Sequence, residues 1–383
     1  MANRMQTLIR VLGVCALVLV AHSSTFAQGG AEIPRTASGH PDLSGSYDTA
    51  TVTPLQRPRA FGDRLTLTAE EAAIIASDPD GLASTFNLAP AGSDERQAAR
   101  EEAQIAGFET GDGNREAPPA GGDGSGGAAG NVGGYNTFWI DRGDAAFQIN
   151  GEIRTSIITD PSNGRQPPRT EANRAAMAAR GGSFRPNSGT AWWLEDDLNA
   201  AGPYDHPEQR PHAERCLMGF GSTAGPPMLS VLYNNMKRIV QSDDTVMILV
   251  EMVHDARIVR MNAEHNPPEI RSWLGDSVGH WEGDTLVVDT TNFTDNPSLG
   301  GASRNLHVVE RFSRLDADTL LYGFTVDDPT VWTAPWSGEY PWPASDNKVY
   351  EYACHEANYS FGGILRGARV LEQDARDAAG ARD

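Results

Sequence analysis

From residue 236 onward the chain alternates apolar and polar positions in short runs separated by turn residues, the pattern of half-buried antiparallel strands. Residues 237–241 turn through Ser242-Asp243-Asp244 into 245–253, a strand that continues, bent at His254-Asp255, to Arg260. Residues 277–282 turn at Gly283-Asp284 into 285–291, 306–314 turn at Asp316-Ala317 into 319–327, and 348–354 close the series. Roughly seven or eight strands joined by short hairpins predict a mainly β fold: an antiparallel up-and-down barrel or strongly curved meander, lipocalin-like in architecture. A β-sandwich is the alternative. No internal repeat of blade length supports a propeller.

Upstream the periodicity is weaker. Residues 28–66 are rich in Pro, Gly, Ser and Arg and read as an extended arm with a short strand or two. Thr68 and Glu71 form a capping box that opens a helix over 70–77, and a second charged helix is expected over 94–105. Residues 111–134 are mostly Gly, Ala, Asp and Pro and cannot bury a core, so they read as a flexible segment. Strand character returns at 137–140 and 153–158, and Thr170 caps a short helix that Gly181-Gly182 end. The expected organisation is 1–27 signal peptide, 28–110 N-terminal arm with short helices, 111–134 Gly-rich segment, 135–363 β-rich domain and 364–383 polar tail.

The signal-peptide expectation rests on three features. Arg4 and Arg10 give a positive start, the apolar run 11–21 has signal-peptide length, and Thr25-Phe26-Ala27 offers a cleavage site that leaves Gln28 first. Cys15 lies inside the apolar run after Val14, which does not suit a lipoprotein. About 355 residues then remain, enough for one large or two medium domains. The formal net charge of −20 disfavours nucleic acid and anionic membrane surfaces as partners and suits a neutral or cationic small-molecule ligand. Export to the periplasm or beyond makes Cys216 and Cys354 candidates for a disulfide; a metal site using the adjacent His355 is the rival reading.

Several strings carry a resemblance. Gly39-His40-Pro41-Asp42-Leu43-Ser44-Gly45, Thr53-Pro54-Leu55-Gln56-Arg57-Pro58, Glu214-Arg215-Cys216-Leu217 and the long run from Gly275 through Gly279-His280-Trp281-Glu282-Gly283-Asp284 to Asn292-Phe293 resemble an uncharacterised family of exported bacterial proteins. Tyr47 departs from that pattern, where Trp is expected. The resemblance implies export and brings no activity, cofactor or catalytic residue with it.

Three polar groups interrupt the apolar strands. Glu251, His254 and Asp255 place acid and imidazole together, a combination suited to general acid–base chemistry, or they mark an exposed bend. A two-residue turn at Gly283-Asp284 sets His280 opposite Val287 and on one face with Glu282, Thr285 and Asp289, where a carboxylate could orient the imidazole or the face is simply solvated. Glu310 is expected opposite Gly323 among apolar neighbours, where it serves a site or pairs with Arg257 or Arg311. Trp332, Trp336 and Trp342, interleaved with prolines, read as a loop presenting ring faces to a ligand or packed as a lid; Trp281 and Tyr322 add candidate ligand-binding rings. His254, His280, His307 and His355 lie on separate elements without metal-site spacing, and there is no phosphate loop, dinucleotide fingerprint or nucleophile elbow, so no cofactor is expected. Two functions follow: a periplasmic or secreted protein binding a small organic or carbohydrate ligand in a barrel cavity, or a hydrolase or lyase working by His/carboxylate catalysis there. A structural role would show as a filled interior.

Overall fold

The computed structural model describes residues 32–76, 143, 145–181, 189–219, 221–231 and 233–381. The signal segment, the helix expected over 94–105, the Gly-rich segment and the strand expected at 137–140 lie outside the described residues.

The strands are β1 (Gly45–Asp48), β2 (Gln148–Ile149), β3 (Glu152–Ile153), β4 (Ile158–Asp160), β5 (Met236–Gln241), β6 (Thr245–Val250), β7 (Ala256–Met261), β8 (Asp276–Glu282), β9 (Thr285–Thr291), β10 (His307–Arg314), β11 (Thr319–Asp327) and β12 (Trp336–Pro343). All except the small β2–β3 hairpin join one ten-stranded sheet in the order β1-β5-β6-β7-β8-β9-β10-β11-β12-β4. A single continuous sheet excludes the sandwich. It curls into a half-barrel in which β1 touches the end of β12: Tyr47 bridges Ala344, and the Ser345 N–H donates to the Ser46 carbonyl at 2.9 Å.

One pairing departs from the meander. β7 and β8 run parallel, Val259 beside Ser277 and Met261 beside Gly279, so residues 262–275 cross from one end of the sheet to the other. Two further differences concern the C-terminal strands. The expected strand at 348–354 is absent, and the strand that completes the series is Trp336–Pro343, which the sequence reads as a loop. Its prolines are tolerated because Glu339 turns its N–H towards Ile157, away from β11; Pro341 and Pro343 face the same way and remove no bond from the β11 ladder.

Both legible caps form. The Thr68 hydroxyl accepts from the Glu71 N–H and the Glu71 carboxylate from the Thr68 N–H at the start of helix α1 (Ala69–Ala76), while Thr170 accepts from Asn173 at the start of α2 (Glu171–Gly181). After a short helix, α3 (Cys354–Ala357), the residues of the polar tail form α4 (Tyr359–Gly380), anchored by Trp193 Nε1–H donating to Glu372 and by the Arg369–Asp205 ion pair. No helix among the described residues is long and apolar enough to cross a membrane. Cys216 and Cys354 are disulfide-bonded.

Alternation along each strand sorts the side chains. The concave face carries Tyr47, Ile239, Ile248, Val259, Val288, Phe312, Tyr322, Phe324, Trp336, Tyr340 and Trp342, all buried in one cluster. Residues 222–229, every one buried, thread into this concavity. Met228 is fixed there by two strands at once: its N–H donates to the Tyr322 hydroxyl at 2.8 Å, and its carbonyl accepts from Tyr340 at 2.9 Å. The interior of the half-barrel is therefore occupied by the chain itself.

Candidate functional site

The expected bend between β6 and β7 is present, and it is strained. Val253 and His254 have φ of 58° and 47°. Left-handed backbone is costly for any non-glycine residue and rare for a β-branched one, and strain of this kind clusters at functional sites. Neighbouring bonds enforce it: the Val250 N–H donates to the Asp255 carbonyl at 2.8 Å, and the Glu251 N–H to the Met236 carbonyl at 3.0 Å. Met252 and Val253 point into a second apolar cluster with Tyr233 and Val250. The polar residues divide accordingly. Glu251 is buried and its carboxylate accepts the Tyr350 N–H at 2.8 Å; Asp255 is partly buried and accepts the Gly219 N–H at 3.4 Å; His254 is exposed at the apex.

Beside the bend lies a residue that the hydropathy pattern did not single out. Lys237, on β5, sits between Tyr47 of β1 and Val250 of β6 on the concave face and has 0 % of its surface exposed. Its Nζ has no hydrogen-bond partner among the described residues. Burial drives its pKa down to about 7, against the opposing pull of Glu251, Asp48 and Asp255. Burial drives Asp255 the other way, up to about 6, although the Gly219 N–H, His254 and Lys237 favour its charged form. An amine and a carboxyl group, each displaced towards neutrality, thus share one end of the half-barrel. The sequence did hold a signal. Only Lys237 and Lys348 are lysines in a chain whose remaining basic residues are arginine, and arginine cannot give up its proton at any ordinary pH.

Deeper in the concavity Glu310 is fully buried and paired. Arg257 grips it with two bonds, Nη1 to Oε2 at 2.7 Å and Nη2 to Oε1 at 2.9 Å, and the Tyr322 hydroxyl donates to Oε1 at 2.8 Å. Burial, with the Glu310 charge adding to it, raises the Tyr322 pKa well above the ordinary tyrosine value. The expected register is off by one here. Leu315 N–H bonds to the Thr319 carbonyl, so the hairpin has a three-residue loop, 316–318, and Glu310 faces Phe324 while Arg311 faces Gly323. A one-residue slip exchanges the two faces of a strand. Glu310, Tyr322 and Phe324 accordingly share the interior, and Arg311 points outward to Glu282 at 2.6 Å.

The convex face holds the other polar groups. His280 lies opposite Val287, as the Gly283-Asp284 turn requires, half-exposed and 3.3 Å from Glu282, whereas its neighbour Trp281 turns to the other face, packs against the main core and stacks on His40 with ring centroids 4.5 Å apart. A short distance away is a chain of alternating acid and imidazole. His265, on the β7–β8 crossover, faces Asp276 through Nδ1 at 3.0 Å and Asp289 through Nε2 at 2.8 Å, and the second Asp289 oxygen lies 2.7 Å from His307 Nε2. Partial burial raises both carboxyls, but hydrogen bonds outweigh it and leave them below the usual range: Asn266 N–H and His265 act on Asp276, and His307 and His265 on Asp289. The Asp289 carboxylate in turn raises the His307 pKa. His265, on the crossover, had no strand periodicity to mark it.

The structure thus brings Glu251, His254 and Asp255 to the bend beside Lys237, with His254 exposed at its apex, places Glu310 further inside and separates His280 from both. Tyr322, Trp332, Trp336 and Trp342 are core residues with ring-to-ring contacts and present no face to solvent. Among the described residues no group of three or more His, Cys, Asp and Glu is placed to hold a metal ion. No family model, curated protein or solved structure matches the chain.

Proposed function

We propose that the protein is an exported binder of a small organic or carbohydrate ligand, received at the end of the half-barrel where Lys237, Glu251 and Asp255 meet. One observation carries this reading: the Lys237 Nζ is fully enclosed and lacks a partner among the described residues. A buried amine without a hydrogen-bond acceptor costs several kcal/mol at about neutral pH, so a chain that keeps one has a use for it. A ligand oxygen is the acceptor that this amine lacks. The surrounding aromatic and aliphatic side chains suit the apolar part of such a molecule. The occupied interior confines the ligand to the bend end of the sheet.

A second reading is an enzyme at the same place, a hydrolase or lyase. It is favoured by the strain at Val253 and His254, beside an amine and a carboxyl group whose pKa values of about 7 and about 6 suit proton transfer near neutrality. Thermal-shift screening of a small-molecule library tests the common premise. Ligands that raise the Tm of the wild-type protein should lose that effect in Lys237→Met, and retention of the shift in the variant would remove the site from consideration. Turnover of a hit, tested directly, separates the enzyme from the binder.

A further inference from the structure

We infer that Lys237 captures a carbonyl compound, an aldehyde, a ketone or the open-chain form of a reducing sugar, as a reversible imine. The inference rests on the ligand-binding reading above and specifies its ligand class. Three observations support it independently of any titration. Lys237 is one of two lysines in the whole chain, so this position holds a primary amine where the protein otherwise uses guanidinium groups for positive charge. The amine lies in the core with no partner among the described residues, where a structural lysine would be anchored by an ion pair or would extend its head to water. Glu251 and Asp255 both belong to the bend beside it: the Glu251 N–H bonds to the carbonyl of Met236, next to Lys237, and Val250, the β6 partner of Lys237, bonds to the Asp255 carbonyl. The lowered pKa then makes the free-base form available near neutrality.

The chemistry balances without an oxidant or reductant. The Nζ lone pair adds to the carbonyl carbon, and a nitrogen-bound proton passes to the oxygen to give the carbinolamine. Asp255, held partly protonated by burial, gives a proton to the departing hydroxyl, and water leaves as the C=N bond forms. The resulting iminium is a cation beside the carboxylates of Glu251 and Asp255, which stabilise it. Addition of water reverses every step and releases the carbonyl compound. Entry requires the bend at 251–255 to lift; it is bonded to β5 one residue from Lys237, and its left-handed residues bias it towards opening.

The test uses the full protein at pH 7 with glycolaldehyde as probe, with and without sodium cyanoborohydride, followed by peptide mass mapping. Lys348 is exposed and provides an internal reference in the same molecule. The expected result is reductive alkylation of Lys237 at least ten-fold faster than of Lys348, despite its burial, together with a rise in Tm from glycolaldehyde alone. A Tm rise with labelling confined to Lys348 and the N-terminus would overturn the imine and leave ligand binding standing. Neither a Tm rise nor an adduct on Lys237 would overturn both. The labelling arm needs no variant, so a folding defect in Lys237→Met cannot obscure it.

Discussion

Arg257 and Glu310 face each other across the concave side of the sheet from strands that are not neighbours, β7 and β10, joined by two bonds of 2.7 and 2.9 Å with neither side chain reaching solvent. The pair holds the curvature of the sheet from within, and Tyr322 and Met228 tie the threaded segment to it. Glu310→Gln keeps the shape but leaves the guanidinium without its counter-charge. Loss of one partner from a buried pair costs about 3–5 kcal/mol, and urea unfolding should show a change of that size. The double variant Arg257→Met/Glu310→Leu should recover much of the loss. A change under about 1 kcal/mol for Glu310→Gln would mean that the pair does not hold the fold.

The Lys237 end predicts an unusual stability profile against pH. Lys237 has its folded pKa lowered to about 7 from 10.5, so between those values the unfolded chain binds more protons and stability should rise with pH. Asp255 is raised to about 6 from 3.8, so across that lower window the folded chain binds more protons and stability should fall with pH. Together they place a local minimum near pH 6–7. Lys237→Met should abolish the upper slope and Asp255→Asn the lower one, as read from chemical denaturation at half-unit steps.

These two groups also show where sequence reading reaches its limit. The register around Gly283-Asp284 was legible because a two-residue turn fixes what faces what. The register around Glu310 was not, because Asp316-Ala317-Asp318 supports loops of two or three residues and only the Leu315–Thr319 closure chooses between them. Trp336–Pro343 was hidden by its prolines, whose edge-facing direction is a tertiary fact. Lys237 was hidden by its neighbours: Met236-Lys237-Arg238 reads as a strand end entering solvent, and only the curl that brings β1 and the bend at 251–255 over it makes it buried. His265 lies on a crossover with no period, so nothing local pointed to its two carboxylates.

The convex chain of acids and imidazoles should be sensitive to pH in the opposite direction from Lys237. His307 has its folded pKa raised by Asp289, so its contribution is fully present below its ordinary value of 6.5 and lost as pH rises through the folded value. Both side chains are more than a third exposed and solvent screens their attraction, so Asp289→Asn should destabilise the protein by about 0.5–1 kcal/mol at pH 5.5 and much less at pH 9. Equal destabilisation at both values would show that these imidazole contacts are not charge-dependent.

Strain at the bend makes a further prediction. His254 is exposed, so His254→Gly removes no packing and relieves the left-handed backbone. That relief, about 1–2 kcal/mol, exceeds the entropy penalty of a new glycine, and the Tm should rise by a few degrees. If the bend is kept strained for ligand entry, the same variant should show a weaker ligand-induced Tm shift. A fall in Tm would show that His254 makes contacts that outweigh its strain.

The link between Cys216 and Cys354 joins positions 138 residues apart, and β5 to β12 all lie between them. A protease that cuts the chain once inside that span leaves two pieces still covalently joined and still paired along the sheet. Neither can depart until a reductant also acts. Durability against digestion is then governed by the thiol content of the surroundings more than by how exposed any loop is. A nick in the 316–318 loop that is harmless under oxidising conditions becomes a route to disassembly where free thiols are abundant.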